Sequence, residues 1–196
     1  MAVMLEFIRR EALAVGLALA LSMVTALPGA SVSRAAADKE NTIVLTTKYG
    51  RTIIKLRPDL APEHVARIKK LTREKFYDGL KFHRVMEGFM AQTGDPRGNG
   101  TGGSKYPDLP AEFTQTPFKR GTLGMARSSD PNSANSQFFI VFARAEHLDG
   151  QYTVFGEIVS GMEFIDALRT GPASRDGVVD EPDVIETMRL ANSAKK

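Results

Sequence analysis

The chain has 196 residues, 42% hydrophobic and 25% charged, enough for one domain with a real core plus a short appendage, and too ordinary in balance for wholesale disorder. Lys and Arg number 26 against 23 Asp and Glu, and the charges are mixed along the chain, which argues against the concentrated basic face of a nucleic-acid binder. There is no cysteine, so disulfides and thiol chemistry are excluded.

The opening segment differs from the rest. Arg9 and Arg10 precede an uncharged run from Ala12 to Leu27, and small residues follow up to Ala35-Ala36-Ala37. A basic start, an apolar stretch and an A-x-A site are the parts of a secretory signal, and the run is shorter than the ~20 residues of a full membrane span. Residues 1–37 are therefore expected to be a cleaved signal peptide, with a retained membrane anchor as the alternative. The arginine pair favours a cytoplasmic N-terminus and export of residues 38–196, to the periplasm or beyond. Contact with a membrane is expected only through this segment, if uncleaved.

"NTIVLTTKYGRTIIKL", from Asn41 to Leu56, places two β-branched runs around a Gly-containing turn, a hairpin signal. A helix follows, with Pro62 in its first turn and Val65, Ile68 and Leu71 at helical spacing; Asp78-Gly79 is expected to close it, and His64 to face solvent. Strand-like stretches span Leu80–Met86 and Phe89–Thr93, and a glycine-rich loop runs from Gly94 to Gly103. That loop lacks the spacing of a phosphate cradle and no helix opens after it; its glycines suit a positive-φ loop lying beside a groove. "GTLGMA", "SQFFIVF" and "YTVFGEIV" read as short strands, "GMEFIDALRTG" as a short second helix and "DVIETMRLA" as a final strand. Many short strands with two helices predict a mainly β protein, a closed antiparallel barrel. Its inward positions look filled by Phe, Ile, Val and Leu, which leaves little room for a ligand in the lumen.

Within this pattern "FHRVMEGFMAQTGD", Phe82 to Asp95, sets Arg84 and Gln92 among apolar residues. Strand alternation puts Phe82, Arg84 and Met86 on one face, with His83, Val85 and Glu87 on the other. Met90 and Gln92 share a parity, and Phe89 reaches the same region if a bulge intervenes. On this segment alone, Arg84 fits equally well as a surface arginine whose stem covers Phe82. Phe138 and Phe139 fall on opposite faces of their strand, and Leu148 and Tyr152 flank an Asp149-Gly150 turn that reads most simply as a hairpin.

Taken together and in order, "FHRVMEGFMAQTGD", "GNGTGG", "GTLGMARSSDPNSANSQFFIVF" and "EHLDGQYTVFGEIVSGM" resemble a cyclophilin-type peptidyl-prolyl cis-trans isomerase of the compact bacterial kind, over Thr42 to Ala191. The resemblance implies an eight-stranded barrel closed by two helices, with a substrate groove on its outer wall; three scattered histidines and no cysteine give a metal site no support, and no cofactor is expected. It implies that Arg84 is the catalytic arginine and that Gln92 holds it and the substrate. Phe89, Met90, Phe139 and Leu148 correspond to the walls of a proline pocket. The backbone around Arg127 and Ser128 corresponds to the part that binds the peptide main chain, and Tyr152 to the groove edge. Two positions depart from the eukaryotic pattern: His147 stands where Trp is often found, a position that matters for cyclosporin binding, and Tyr152 stands where many relatives have His. The implied partners are proline-containing polypeptides, unfolded or newly exported, met by a monomer. A proline-peptide binding or holdase module with incidental turnover is the alternative of a different class. His83 is expected to be a hydrogen-bonded structural histidine on the face opposite Arg84.

Overall fold

The computed structural model describes residues 39–192; the expected leader, residues 1–37, lies outside the described residues. Among the described residues no helix is long and apolar enough to cross a membrane. The expected hairpin forms as β1 (Thr42–Thr47) and β2 (Gly50–Leu56), paired from Thr42 opposite Lys55 to Thr47 opposite Gly50. Its alternation sends Ile43, Leu45, Ile54 and Leu56 inward.

Helix α1 (Pro62–Arg73) starts at the proline, whose missing N–H costs nothing in a first turn, and buries Val65, Ile68 and Leu71. It ends earlier than the expected stop at Asp78-Gly79. Lys75 takes a left-handed conformation at φ 58°, Phe76 N–H donates to Leu71 O at 3.0 Å, and Lys75 N–H donates to Thr72 O at 3.1 Å. This is a Schellman turn with lysine where glycine is usual. The break lets Tyr77 enter the core, where it is fully buried and its hydroxyl donates to Ser136 O at 3.2 Å.

The remaining strands are β3 (Arg84–Met86), β4 (Met90–Thr93), β5 (Thr122–Met125), β6 (Phe138–Val141), β7 (Val154–Ser160) and β8 (Thr187–Leu190), with the five-residue helix α2 (Met162–Asp166) before β8. All neighbours are antiparallel in the order β3-β4-β6-β5-β7-β2-β1-β8. Register shifts at Ile53/Ile54 and Leu123/Gly124 help the sheet to curl. It does not close as expected: β3 and β8 share no ladder, and the structure is a curled, open half-barrel. The seam is crossed instead by the segment before β8, through single bridges from Lys81 to Val184 and from Arg84 to Val178. With β3 only three residues long, too little strand is left to complete a ladder.

His64 is a second correction. It is fully buried, not solvent-facing, with Nδ1 2.6 Å from Glu112 Oε2. Glu112 also accepts the backbone N–H groups of Glu63 and His64, at 3.2 and 3.0 Å, and so serves the free donors of the first turn of α1 from a loop distant in sequence. His83 is buried, but neither ring nitrogen makes a hydrogen bond of normal geometry to a described residue, contrary to the hydrogen-bonded histidine expected.

Burial lowers the pKa of both His64 and His83 from the ordinary value of 6.5. A base depressed in the native state binds fewer protons there than in the unfolded chain, so its stabilising contribution is present above pH 6.5 and is lost as pH falls below it. The melting temperature is expected to fall between pH 7 and pH 5, before most carboxylates titrate; a scanning-calorimetry series that stays flat across this window would contradict the assignment.

Candidate active site

The β3–β4 hairpin sets Arg84 directly opposite Gln92 and Met86 opposite Met90. Cross-strand partners share a face, so arginine, glutamine and two thioethers converge there. Phe82 does not join them, as alternation had suggested. Residues 82 and 83 are not laddered, the parity breaks, and Phe82 enters the main core with Val85. Phe89 reaches the site from the turn between the strands, where its N–H donates to Met86 O at 3.1 Å, and not through a bulge.

Strand β6 lies beside β4 with Phe139 opposite Gln92. Its two phenylalanines divide as their spacing predicts: Phe138 packs in the main core, and Phe139 joins a second apolar cluster with Met90, Phe118 and Leu148. Phe139 is stacked on Phe118 at 5.7 Å and meets the Tyr152 ring edge-on at 5.6 Å. Only glycine fits behind them at position 124, where a Cβ would lie 2.5 Å from Phe139 Cζ and 2.7 Å from Phe118 Cε1.

The result is a recess of about 530 Å³ with an apolar wall of Phe89, Met90, Phe139, Leu148, Ala126 and the Tyr152 ring and a polar rim of Arg84, Gln92, Arg127, His147 and Gln151. Leu148 reaches it from a single 3-10 turn, Glu146–Leu148, preceding the turn at Asp149-Gly150 rather than from a simple hairpin. The Arg127 guanidinium lies 4.5 Å from the centre of the Tyr152 ring and donates to Gln151 O and Ser128 O. Ser128 lines an adjoining recess of about 510 Å³ and commits its N–H to Ser133 Oγ at 2.8 Å.

Arg84 is held on several sides. Its Nη1 donates to Gln92 Oε1 at 3.3 Å, Nη2 lies 3.2 Å from Met86 Sδ, and Nε and Nη2 donate to Asp176. Gln92 Nε2 in turn donates to Gln137 Oε1 at 2.9 Å, and Gln137 Nε2 to the carbonyls of Gly100 and Gly102. The glycine-rich loop is thereby tied to the arginine. Its own shape comes from buried Asp95, whose carboxylate accepts the N–H groups of Arg97, Asn99 and Gly100, and from positive φ at Gly94, Gly98 and Gly100. Those backbone bonds hold the Asp95 carboxyl below the usual range against the opposing effect of burial.

Sequence reasoning had brought Arg84, Gln92, Phe89, Met90, Phe139, Leu148, Tyr152 and Arg127 to one recess, and the fold does bring them together. It passed over Phe118, Gln137 and Asp176. The "S-Q-F-F" run held a signal for Gln137, one position before the noted phenylalanines; nothing local marked Asp176. Among the described residues no cluster of three His, Asp or Glu side chains offers a metal site.

Residues 42–190 match the family described as "Cyclophilin type peptidyl-prolyl cis-trans isomerase/CLD". The chain belongs to this family of isomerases. Among relatives, a "Probable peptidyl-prolyl cis-trans isomerase" of Brucella suis is 54% identical over 187 residues, covering 90% of this chain and 93% of that one. The "Peptidyl-prolyl cis-trans isomerase B" of Bacillus subtilis is 43% identical over 123 residues, covering 62% and 85%. Among solved structures, a cyclophilin from Hirschia baltica superposes with a TM-score of 0.70 at 27% identity, covering 78% of this chain and 74% of its own. A cyclophilin-type isomerase from Cryptosporidium parvum, determined in the presence of the dipeptide Ala-Pro, gives 0.70 at 26%, covering 76% and 98%. As an enzyme the chain is thus a cyclophilin-type peptidyl-prolyl cis-trans isomerase with the eight-stranded, two-helix fold of that family.

Proposed function

We propose that the apolar recess grips the proline ring of an X–Pro segment while Arg84 lowers the barrier to rotation about the preceding amide. The barrier of ~18–20 kcal/mol comes from amide resonance. In the twisted state conjugation is lost and the proline nitrogen carries a lone pair that accepts a hydrogen bond; the planar amide nitrogen accepts poorly. A fixed cationic donor therefore binds the twisted state better than either ground state, and only such differential binding speeds rotation. Nothing is cleaved, so the reaction calls for no nucleophile, general base or metal.

Arginine suits this task because it stays charged and its planar fork serves several acceptors at once. Gln92 orients it, Phe139, Met90, Phe89 and Leu148 wall the ring, and the apolar lining strengthens the charged hydrogen bond by excluding water. About 4 kcal/mol of such stabilisation gives roughly a thousandfold acceleration. The observation that carries this reading is a guanidinium beside the apolar wall formed by Phe89, Met90, Phe139 and Leu148, with weak thioether acceptors next to it. An intact Arg84 favours this reading over a proline-binding module without turnover.

The clients are exported proline-containing polypeptides, a reading that the basic, apolar and A-x-A sequence of residues 1–37 supports. Fusing residues 1–37 to an alkaline phosphatase that is active only outside the cytoplasm should give active enzyme, with the leader removed near Ala37. A fusion that stays inactive in the cytoplasm would remove the exported role and leave the chemistry untouched.

A further inference from the structure

Resting on the reading of Arg84 given above, we infer that Asp176 is a positioning residue for the isomerisation: it fixes the guanidinium so that its remaining donors face the recess. Asp176 lies 92 residues beyond Arg84 in the chain. Its carbonyl oxygen accepts from Arg84 Nε at 2.9 Å, its Oδ2 from Nε at 3.1 Å, and its Oδ1 from Nη2 at 2.8 Å. A guanidinium has five N–H bonds. Asp176 takes Nε–H and one N–H of Nη2, and Gln92 takes one N–H of Nη1. Among the described residues, the two that remain have only the thioethers of Met86 and Met90 as acceptors, at 3.2 and 3.8 Å from Nη2 and Nη1. Thioether sulfur is a weak acceptor, so these donors are free to leave it for a better one.

The backbone presents Asp176 deliberately to the strand that carries Arg84. The residue is left-handed at φ 54°, a conformation that Asp tolerates, and Gly177 follows at φ 74°. Gly177 O accepts from Val85 N–H at 2.8 Å, and a Cβ at Gly177 would collide with the Met86 side chain. Arg175, the neighbouring cation on the same turn, is turned to Asp180 at 2.7 and 2.6 Å. The Asp176 side chain is 73% exposed, and exposed ion pairs contribute little to stability. Its value lies in aim. Without its carboxylate the long arginine side chain keeps the Nε bond to the backbone carbonyl of residue 176, one 3.3 Å bond to Gln92 and two weak sulfur contacts, and loses the charged acceptor that fixes Nη2.

The test compares the full chain with its Asp176→Asn and Asp176→Gly variants, both compatible with a left-handed φ, by exchange NMR on an X–Pro test peptide. The expected result is a loss of about tenfold in kcat with KM nearly unchanged, since misaimed catalytic groups lose rate before binding. The Arg84 Nε–H resonance should move and exchange faster with water in both variants, and in an Arg84→Ala background the Asp176 change should add no further loss. Undiminished kcat in Asp176→Asn and Asp176→Gly, beside a slow Arg84→Ala, overturns this inference alone. An Arg84→Ala variant as fast as the parent overturns the reading of Arg84 and this inference with it.

Discussion

Replacing Arg84 by Ala is expected to lower kcat/KM for an X–Pro peptide by roughly 10²–10³-fold while leaving the fold in place. The size follows from the role proposed for Arg84, a charged donor that meets the twisted amide, whose loss is comparable to that of an oxyanion-hole donor, ~3–4 kcal/mol. The fold should survive because the guanidinium sits on the outer face of the short terminal strand β3, partly exposed and bonded to polar groups and sulfur, outside the main core. Gln92 keeps its partner Gln137, so the glycine-rich loop stays tethered when the arginine is gone. Kinetics beside a thermal melt check both halves. An Arg84→Ala protein that fails to fold would mean that the side chain is structural.

Replacing Phe139 by Ala should damage both stability and binding. The ring is 5% exposed, stacked on Phe118 and capped by the edge of Tyr152, so truncation leaves a cavity worth about 3–5 kcal/mol. For a domain of this size that lowers the melting temperature by roughly 10 °C. Because the same ring lines the recess, KM should rise together with the loss of rate, whereas the loss in Arg84→Ala falls mainly on kcat. Calorimetry and a kcat and KM determination on one preparation separate the effects, and an unchanged KM would remove Phe139 from the proline pocket.

Much of this was legible because it depends on neighbours in sequence. Alternation put Phe138 and Phe139 on opposite faces, and the family resemblance then named Phe139 as the pocket wall and Gln92 as the partner of Arg84, which the hairpin sets directly opposite it. What stayed hidden depends on residues far apart in the chain. His64 looks like a solvated helix residue until Glu112, 48 positions later, is folded over it. Asp176 reads as an ordinary Asp-Gly turn until the segment before β8 is laid across the seam of the sheet. Phe82 was misassigned because alternation holds only within a laddered strand, and the ladder starts at Arg84. The expected closed barrel failed for a related reason: strand number is readable from runs of residues, whereas closure depends on whether the two outermost strands are long enough to meet.

The central claim is that Arg84 speeds rotation rather than merely helping to hold the peptide, and one measurement separates these. An X–Pro peptide, mixed with the full chain or with Arg84→Ala, is followed by NMR line shapes that report binding and cis–trans exchange at once. The account predicts fast exchange with the parent chain, and with Arg84→Ala continued peptide binding at the recess but exchange close to the rate in buffer. Exchange that persists in Arg84→Ala, or a parent chain that binds the peptide without accelerating it, would contradict the account.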